Sequence, residues 1–213
     1  MLLHAAILPP RHVVEAVVAV LESVVVPVEV EVAQAPRGVL GRFGRKTGPT
    51  VPAPAPMPLD LVPPDRRNFP VTGFGNLTTG DSHRLADAIS AAAEEWSPIP
   101  VRFAGGAALE FPGDWSVWAK LEGDLDRLAK IASGVTSSVE SLGFFVDRRI
   151  FRPMLSLATV TPDTTGPYLE AVVDALDAFR GEEWVIDHVA LTTEVFTNGK
   201  PEFKEVQRIP LAG

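Results

Sequence analysis

The chain has no cysteine among its 213 residues, a single tyrosine and only three methionines. Without thiols it can form neither a disulfide nor a thiolate metal site, which suits a reducing, cytoplasmic setting. Long apolar runs are missing too. The longest, Val13 to Val26, is broken by Glu15, Glu22 and Ser23 and falls short of the roughly 18 residues of a membrane helix. The first residues lack the positive segment and small-residue cleavage site of a secretory leader. Positive charge is in deficit: 27 acidic against 19 basic residues give a formal net charge of −8. That argues against a surface coated in nucleic acid, though it leaves room for a small basic pocket. His-rich or Cys-rich spacing, a GxxxxGK[ST] loop and a Gly-x-Ser-x-Gly elbow are all absent. Gly38, Gly41 and Gly44 recur every third residue, but no strand–helix crossover encloses them as a dinucleotide fingerprint requires. The expectation is therefore no cofactor, no metal and no membrane.

What is present is ordinary globular material. Hydrophobic residues make up 46% and charged residues 22%, enough for one domain over residues 1–213 with a sizeable core. Leu2 to Leu8 reads as a buried strand stopped by Pro9 and Pro10. Val13, Val14, Val17, Val20, Leu21 and Val24 have helical spacing over residues 11–24, although β-branched side chains weaken a helix. Val28, Val30 and Val32 alternate with glutamates as in a half-buried strand. Asn68 to Gly75 reads as a strand, followed by a helix capped at Asp81 or Ser82 and running to about Trp96. Strands over Pro100–Ala104 and Trp115–Leu121 precede a helix over residues 124–142, ended by Gly143. Pro153 to Val160 is another strand, and Pro167 opens a helix that Gly181 stops. Trp184–Val195 and Glu202–Leu211 form a terminal hairpin turning at Asn198-Gly199.

The stretch from Pro36 to Arg67 is unlike the rest. Its first half carries four glycines among Arg37, Arg42, Arg45 and Lys46, and Pro49 to Pro64 is proline-rich and extended. It reads as a Gly/Pro-rich insertion at about 36–57. The plain reading is a solvated loop, and the sharper one a basic flap reaching toward an anion.

A weak internal echo follows, in which Phe69-Pro70-Val71-Thr72 and Pro153-Met154-Leu155-Ser156 each open a strand leading to a capped helix. These segments carry a family resemblance. Val62-Pro63-Pro64, then Asn68-Phe69-Pro70-Val71-Thr72, and Phe151-Arg152-Pro153-Met154-Leu155-Ser156-Leu157-Ala158 resemble the two motifs of the 2H phosphoesterases. That group includes 2′-5′ RNA ligases and cyclic phosphodiesterases. Leu3 to Ile7, Gly143-Phe144, and Val185 to Leu191 with Ile209-Pro210-Leu211 match further family context. The resemblance implies an α+β fold of two pseudo-symmetric lobes, each an antiparallel sheet with outer helices around a central cleft.

It also implies what has been lost. The family places a histidine in each motif, one to remove a proton and one to supply it, because an imidazole titrates near neutrality. Here those positions hold Pro70 and Met154, neither of which can do so. No catalytic residue of the family type remains, which leans the reading away from an enzyme. The kept hydroxyls, Thr72 and Ser156, stand two residues beyond each lost histidine, so alternation aims each pair at one cleft. Both hydroxyls could instead bond neighbouring backbone. Thr72, Ser156, His4 and Phe74 form the candidate ligand-binding set, with His4 also a candidate rescue base. His12 and His83 read as solvated. His188 reads as a surface or cleft-rim group that Asp187, its strand neighbour, does not orient. Trp115 and Trp118 read as packing residues. Three functions stay open: an inactive monomer binding a nucleotide, RNA end or small phosphorylated ligand; a protein–protein module with an unknown partner; and an active phosphodiesterase or ligase using displaced groups.

Overall fold

The computed structural model describes residues 1–25, 57–197 and 199–213. The Val28–Val32 strand and nearly all of the 36–57 insertion lie outside them. Nine strands and four helices are described: β1 (Leu2–Ile7), α1 (Arg11–Ser23), β2 (Leu59–Leu61), β3 (Phe69–Asn76), α2 (Thr79–Ala93), β4 (Ile99–Ala108), β5 (Ser116–Gly123), α3 (Leu125–Glu140), β6 (Met154–Val160), α4 (Gly166–Ala178), β7 (Trp184–Ile186), β8 (His188–Thr197) and β9 (Lys200–Pro210). They form two antiparallel sheets, one ordered β3-β1-β8-β9 and the other β2-β6-β5-β4-β7. This is the α+β, two-lobed arrangement that the motifs implied.

Burial decides the helices. In α1, Val13, Val14, Val17, Val18 and Leu21 are 0–6% exposed. Burying each is worth roughly 1.5–3 kcal/mol, against the few tenths of a kcal/mol that a valine costs in a helix. Packing overrides propensity. In α3, Leu128, Ile131, Val135 and Val139 make the buried stripe, and Asp124 caps the helix by accepting from the Arg127 N–H at 3.0 Å.

The two motif strands are built alike. β3 leads into α2 and β6 into α4, and each helix is capped by a threonine. Thr78 accepts from the Asp81 N–H at 3.2 Å and Thr165 from the Tyr168 N–H at 3.4 Å. The α2 cap is thus three or four residues earlier than the expected Asp81 or Ser82. A threonine flanked by a second threonine and a glycine left little contrast in the sequence, and Asp81 instead bonds the cap's hydroxyl from the first turn.

The terminal hairpin also differs from expectation. Its first strand is two strands in two sheets: β7 pairs with β4, β8 pairs with β1 and β9, and the chain crosses at Asp187. The hairpin proper turns at Gly199, whose φ of +77° is the left-handed conformation glycine tolerates. Among the described residues no helix is long and apolar enough to cross a membrane.

Candidate functional site

β3 is the edge strand of its sheet, a position where a proline, lacking an N–H, is tolerated. Pro70 lies opposite Ala6 of β1 and is exposed. Met154 opens β6 opposite Lys120 of β5 and is half-buried. Although they come from different sheets, the two side chains line one cavity of about 400 Å³, together with Trp118, Asp147, Arg149, Ile150 and Arg152.

The partners of each wall residue are defined. The connection between α3 and β6 is stitched onto β3: the Asp147 N–H donates to the Gly73 carbonyl at 2.9 Å, and the Thr72 hydroxyl donates to the Asp147 carbonyl at 2.7 Å. The Asp147 carboxylate then accepts from Arg149 through Nε at 2.8 Å and through Nη2. On the opposite wall Trp118 Nε1 donates to Asp114 Oδ2 at 2.6 Å, and the Trp118 ring meets Phe111 edge-on at 6.3 Å. Arg152 covers the other part of this cluster, its guanidinium carbon 3.6 Å from the Phe111 ring centre. Burial alone would raise the Asp114 carboxyl. Hydrogen bonds from the Trp118 indole and from Ser116 outweigh that effect and hold it below the usual carboxylate range.

The four candidate ligand-binding residues are not gathered in the cavity. Thr72 is 2% exposed and spends its hydroxyl on the Asp147 carbonyl. The reason is a bulge. Between Ala5 and Ala6 the register of β1 with β3 shifts by one, so Pro70 faces Ala6 while Thr72 faces Ala5. Cross-strand partners share a face, so strict alternation from Pro70 does not reach Thr72. Ser156 keeps to Met154's row, opposite Trp118, but does not line the cavity. Phe74 is 1% exposed and belongs to the hydrophobic core, so it presents no surface to a ligand.

His4 stands on the row of Ala6, with Leu3, Ala5 and Ile7 on the buried side. Its ring lies 5.9 Å from that of Phe203, and a Cβ added to Gly73 would come 3.1 Å from its Nδ1. Burial lowers its pKa, the Arg149 charge lowers it further, and Glu194 with Asp147 oppose without prevailing. His4 thus stands beside the cavity wall and is not part of it.

His12 and His83 are exposed as expected, but His188 is not. Its side chain is 12% exposed, Nδ1 lies 2.5 Å from Asp187 Oδ1, and among the described residues the buried Nε2 has no partner. Strand alternation misled because Asp187 is the crossing residue between two sheets and belongs to neither strand.

By sequence, no family model and no curated protein matches the chain. Solved structures do match it over its whole length. TT0787 of Thermus thermophilus superposes with a TM-score of 0.63 at 17% identity, covering 100% of this chain and 99% of that one. LigT of E. coli complexed with phosphate gives 0.63 at 11% identity, and complexed with 3′-AMP 0.62 at 14%, each covering 100% and 98%. The fold is that of the 2H phosphoesterases.

Within the cavity, neither Pro70 nor Met154 has a side-chain proton to exchange. What this cavity does hold was partly missed in the sequence. Trp118 is a wall residue as well as a packing one, whereas Trp115 is 67% exposed and precedes β5. Arg149 belongs to the basic run Arg148-Arg149-Ile150-Phe151-Arg152, a signal visible immediately before the second motif. Two guanidiniums, an indole and an apolar floor can hold an anion attached to a flat group. Among the described residues no group of three His, Asp or Glu could hold a metal.

Proposed function

We propose that this chain binds a nucleotide or a similar small phosphorylated ligand in the cleft between β3 and β6, and does not turn it over by the acid–base route of the fold. The observation that carries this is that Pro70 and Met154 share one cavity with Arg149 and Arg152. Arg149 is largely neutralised by Asp147. Arg152 is held by stacking and among the described residues has no carboxylate partner, so its planar donors are free for a phosphate. Trp118 and Met154 offer an apolar wall for a base. LigT, on the same fold, has been crystallised with phosphate and with 3′-AMP.

The other two readings have less behind them. A protein–protein module whose cleft has been given up would have a closed site, whereas this cavity measures about 400 Å³. A rescue reaction through His4 would start from a residue outside the cavity and have no opposing acid at position 70 or 154. Calorimetry with 3′-AMP and with inorganic phosphate tests the proposal. Arg152→Ala removes a charge-assisted contact worth about 1.5–3 kcal/mol, so affinity falls roughly ten- to hundredfold. No heat of binding with either compound, or equal affinity in the variant, refutes it.

A further inference from the structure

The turn from β4 to β5, residues 109–115, contributes nothing to the hydrophobic core, yet its backbone is strained. Leu109 leaves β4 at a φ of +53° and is the one non-glycine residue in the left-handed region among those described, a conformation that a bulky side chain disfavours. It is 44% exposed, so burial does not account for the strain. Two bonds hold the turn in shape. The Leu109 N–H donates to the Ser116 carbonyl at 3.0 Å, and the Asp114 N–H to the Phe111 carbonyl at 2.9 Å. Strain kept without packing in return points to a use for the shape itself. We propose that this turn is the specificity element of the cleft, with Phe111 and Asp114 as positioning residues: Phe111 sets Arg152 for the phosphate, and Asp114 sets Trp118 for the base. Neither of the two lines the cavity itself. The inference rests on the cleft binding a nucleotide, and names the residues that orient its contacts.

The first chain of contacts runs through Phe111. The Arg152 guanidinium carbon lies 3.6 Å from the centre of the Phe111 ring, and among the described residues Arg152 has neither a carboxylate nor a hydrogen-bond partner. The ring face is therefore what restrains this long side chain. Stacking covers one face of the guanidinium and leaves the N–H donors pointing outward in its plane. That edge lies on the cavity wall. Without the ring, Arg152 would have to be ordered by the ligand itself, and the entropy of fixing its rotamers would be charged against affinity.

The second chain runs through Asp114. Its Oδ1 accepts the Ser116 N–H at 2.9 Å and its Oδ2 accepts the Trp118 indole N–H at 2.6 Å. One carboxylate thus ties the rotation of the indole to the backbone of the turn. An asparagine has a single acceptor oxygen, so it would lose one of these bonds. The two chains meet where the Trp118 ring approaches Phe111 edge-on at 6.3 Å. Each contact is local to the turn except the one to Arg152, which comes from beyond α3. The turn therefore acts on the cleft through two separable groups, and each can be removed while the other stays.

Titration calorimetry with inorganic phosphate and with 3′-AMP tests the assignment, with thermal melts to confirm folding. Phe111→Leu weakens both compounds about three- to tenfold, whereas Phe111→Tyr, which keeps the ring face, binds them as before. On an Arg152→Ala background Phe111→Leu has no further effect on phosphate, a non-additivity that general loosening of the fold would not produce. Asp114→Asn weakens 3′-AMP about threefold and leaves phosphate unchanged. A readout free of ligand accompanies these: the Arg152 side-chain protons resonate upfield under the Phe111 ring, and Phe111→Leu removes the shift. If Phe111→Leu binds phosphate normally, or weakens it equally on the Arg152→Ala background, the role of Phe111 is overturned while the cleft stands. Equal loss of both compounds in Asp114→Asn overturns the division between the two chains. If the unaltered chain binds neither compound, the cleft reading falls and takes the specificity role of the turn with it.

Discussion

Placing an imidazole at positions 70 and 154 is the most demanding test of the proposed correspondence between this cleft and that of the 2H phosphoesterases. In the Pro70→His/Met154→His double variant both new side chains enter the cavity that the present ones line. Pro70 is exposed and Met154 half-buried, so the main stability cost is the lost proline constraint, about 0.4–1 kcal/mol. A positioned acid or base is worth roughly 10²–10⁴-fold. The full product of two such factors is out of reach, because Thr72 is committed to the Asp147 carbonyl and Arg149 to Asp147. The expected gain is therefore about 10²–10⁴-fold in hydrolysis of a 2′,3′-cyclic nucleotide over the unaltered chain, followed by chromatography of the product. Each single variant should gain less than about tenfold, since proton removal and proton delivery are both required. The pH–rate profile should be bell-shaped. Arg149 and Arg152 disfavour a protonated imidazole, so the optimum falls below the usual histidine value of about 6.5. A double variant that melts normally and binds nucleotide, yet hydrolyses no faster than the unaltered chain, would refute the assignment of positions 70 and 154.

Two further outcomes probe the scaffold. A Cβ at Gly106 would lie 2.5 Å from Leu176 Cβ, where β4 meets α4, so Gly106→Ala should cost about 1–3 kcal/mol in urea unfolding through overpacking. Asp114→Asn should cost about 1 kcal/mol at pH 7 by weakening the bond that holds the Trp118 indole. It should also flatten the acid limb of the stability profile. The folded Asp114 carboxyl titrates below its ordinary value of 3.8, so its contribution is full above that pH and disappears as pH falls through the folded value. An acid limb unchanged in Asp114→Asn would contradict this.

The fold was legible because its signals are redundant. α3 shows its stripe at Leu128, Ile131, Val135 and Val139, and each motif strand is followed by a helix, so the two-lobed order survived local errors. The site was less legible because it depends on features that spacing does not encode. One extra residue between the partners of Ala5 and Ala6 took Thr72 off Pro70's row. The crossing at Asp187 brought a carboxylate to His188 that alternation placed on the opposite face. Trp118 looked like packing because its value depends on β6 lying beside β5, a long-range pairing with no local signature. Phe74, part of the β3 motif segment, sits at a second register shift, between the partners of Leu3 and His4, and the whole run Val71 to Phe74 is out of solvent.

In the proposed reading, Pro70 and Met154 leave the cleft without an acid or base and also favour binding. An imidazole floor is polar and hydrated, whereas Pro70, Met154, Ile150 and Trp118 make the present floor largely apolar. A guanidinium attracts an anion more strongly where the surroundings screen it less. Catalysis requires interactions that strengthen in the transition state, whereas a site that grips the ground state gains affinity without rate. The two properties should then move in opposite directions in the double-histidine variant. At pH 8, where both new imidazoles are neutral, it should bind 3′-AMP more weakly than the unaltered chain, whereas at the optimum of its pH–rate profile, where one imidazole carries a proton, it should hydrolyse cyclic nucleotide faster. Tighter binding together with faster turnover would mean that histidines at these positions serve both roles, and that the apolar floor has no part in holding the ligand.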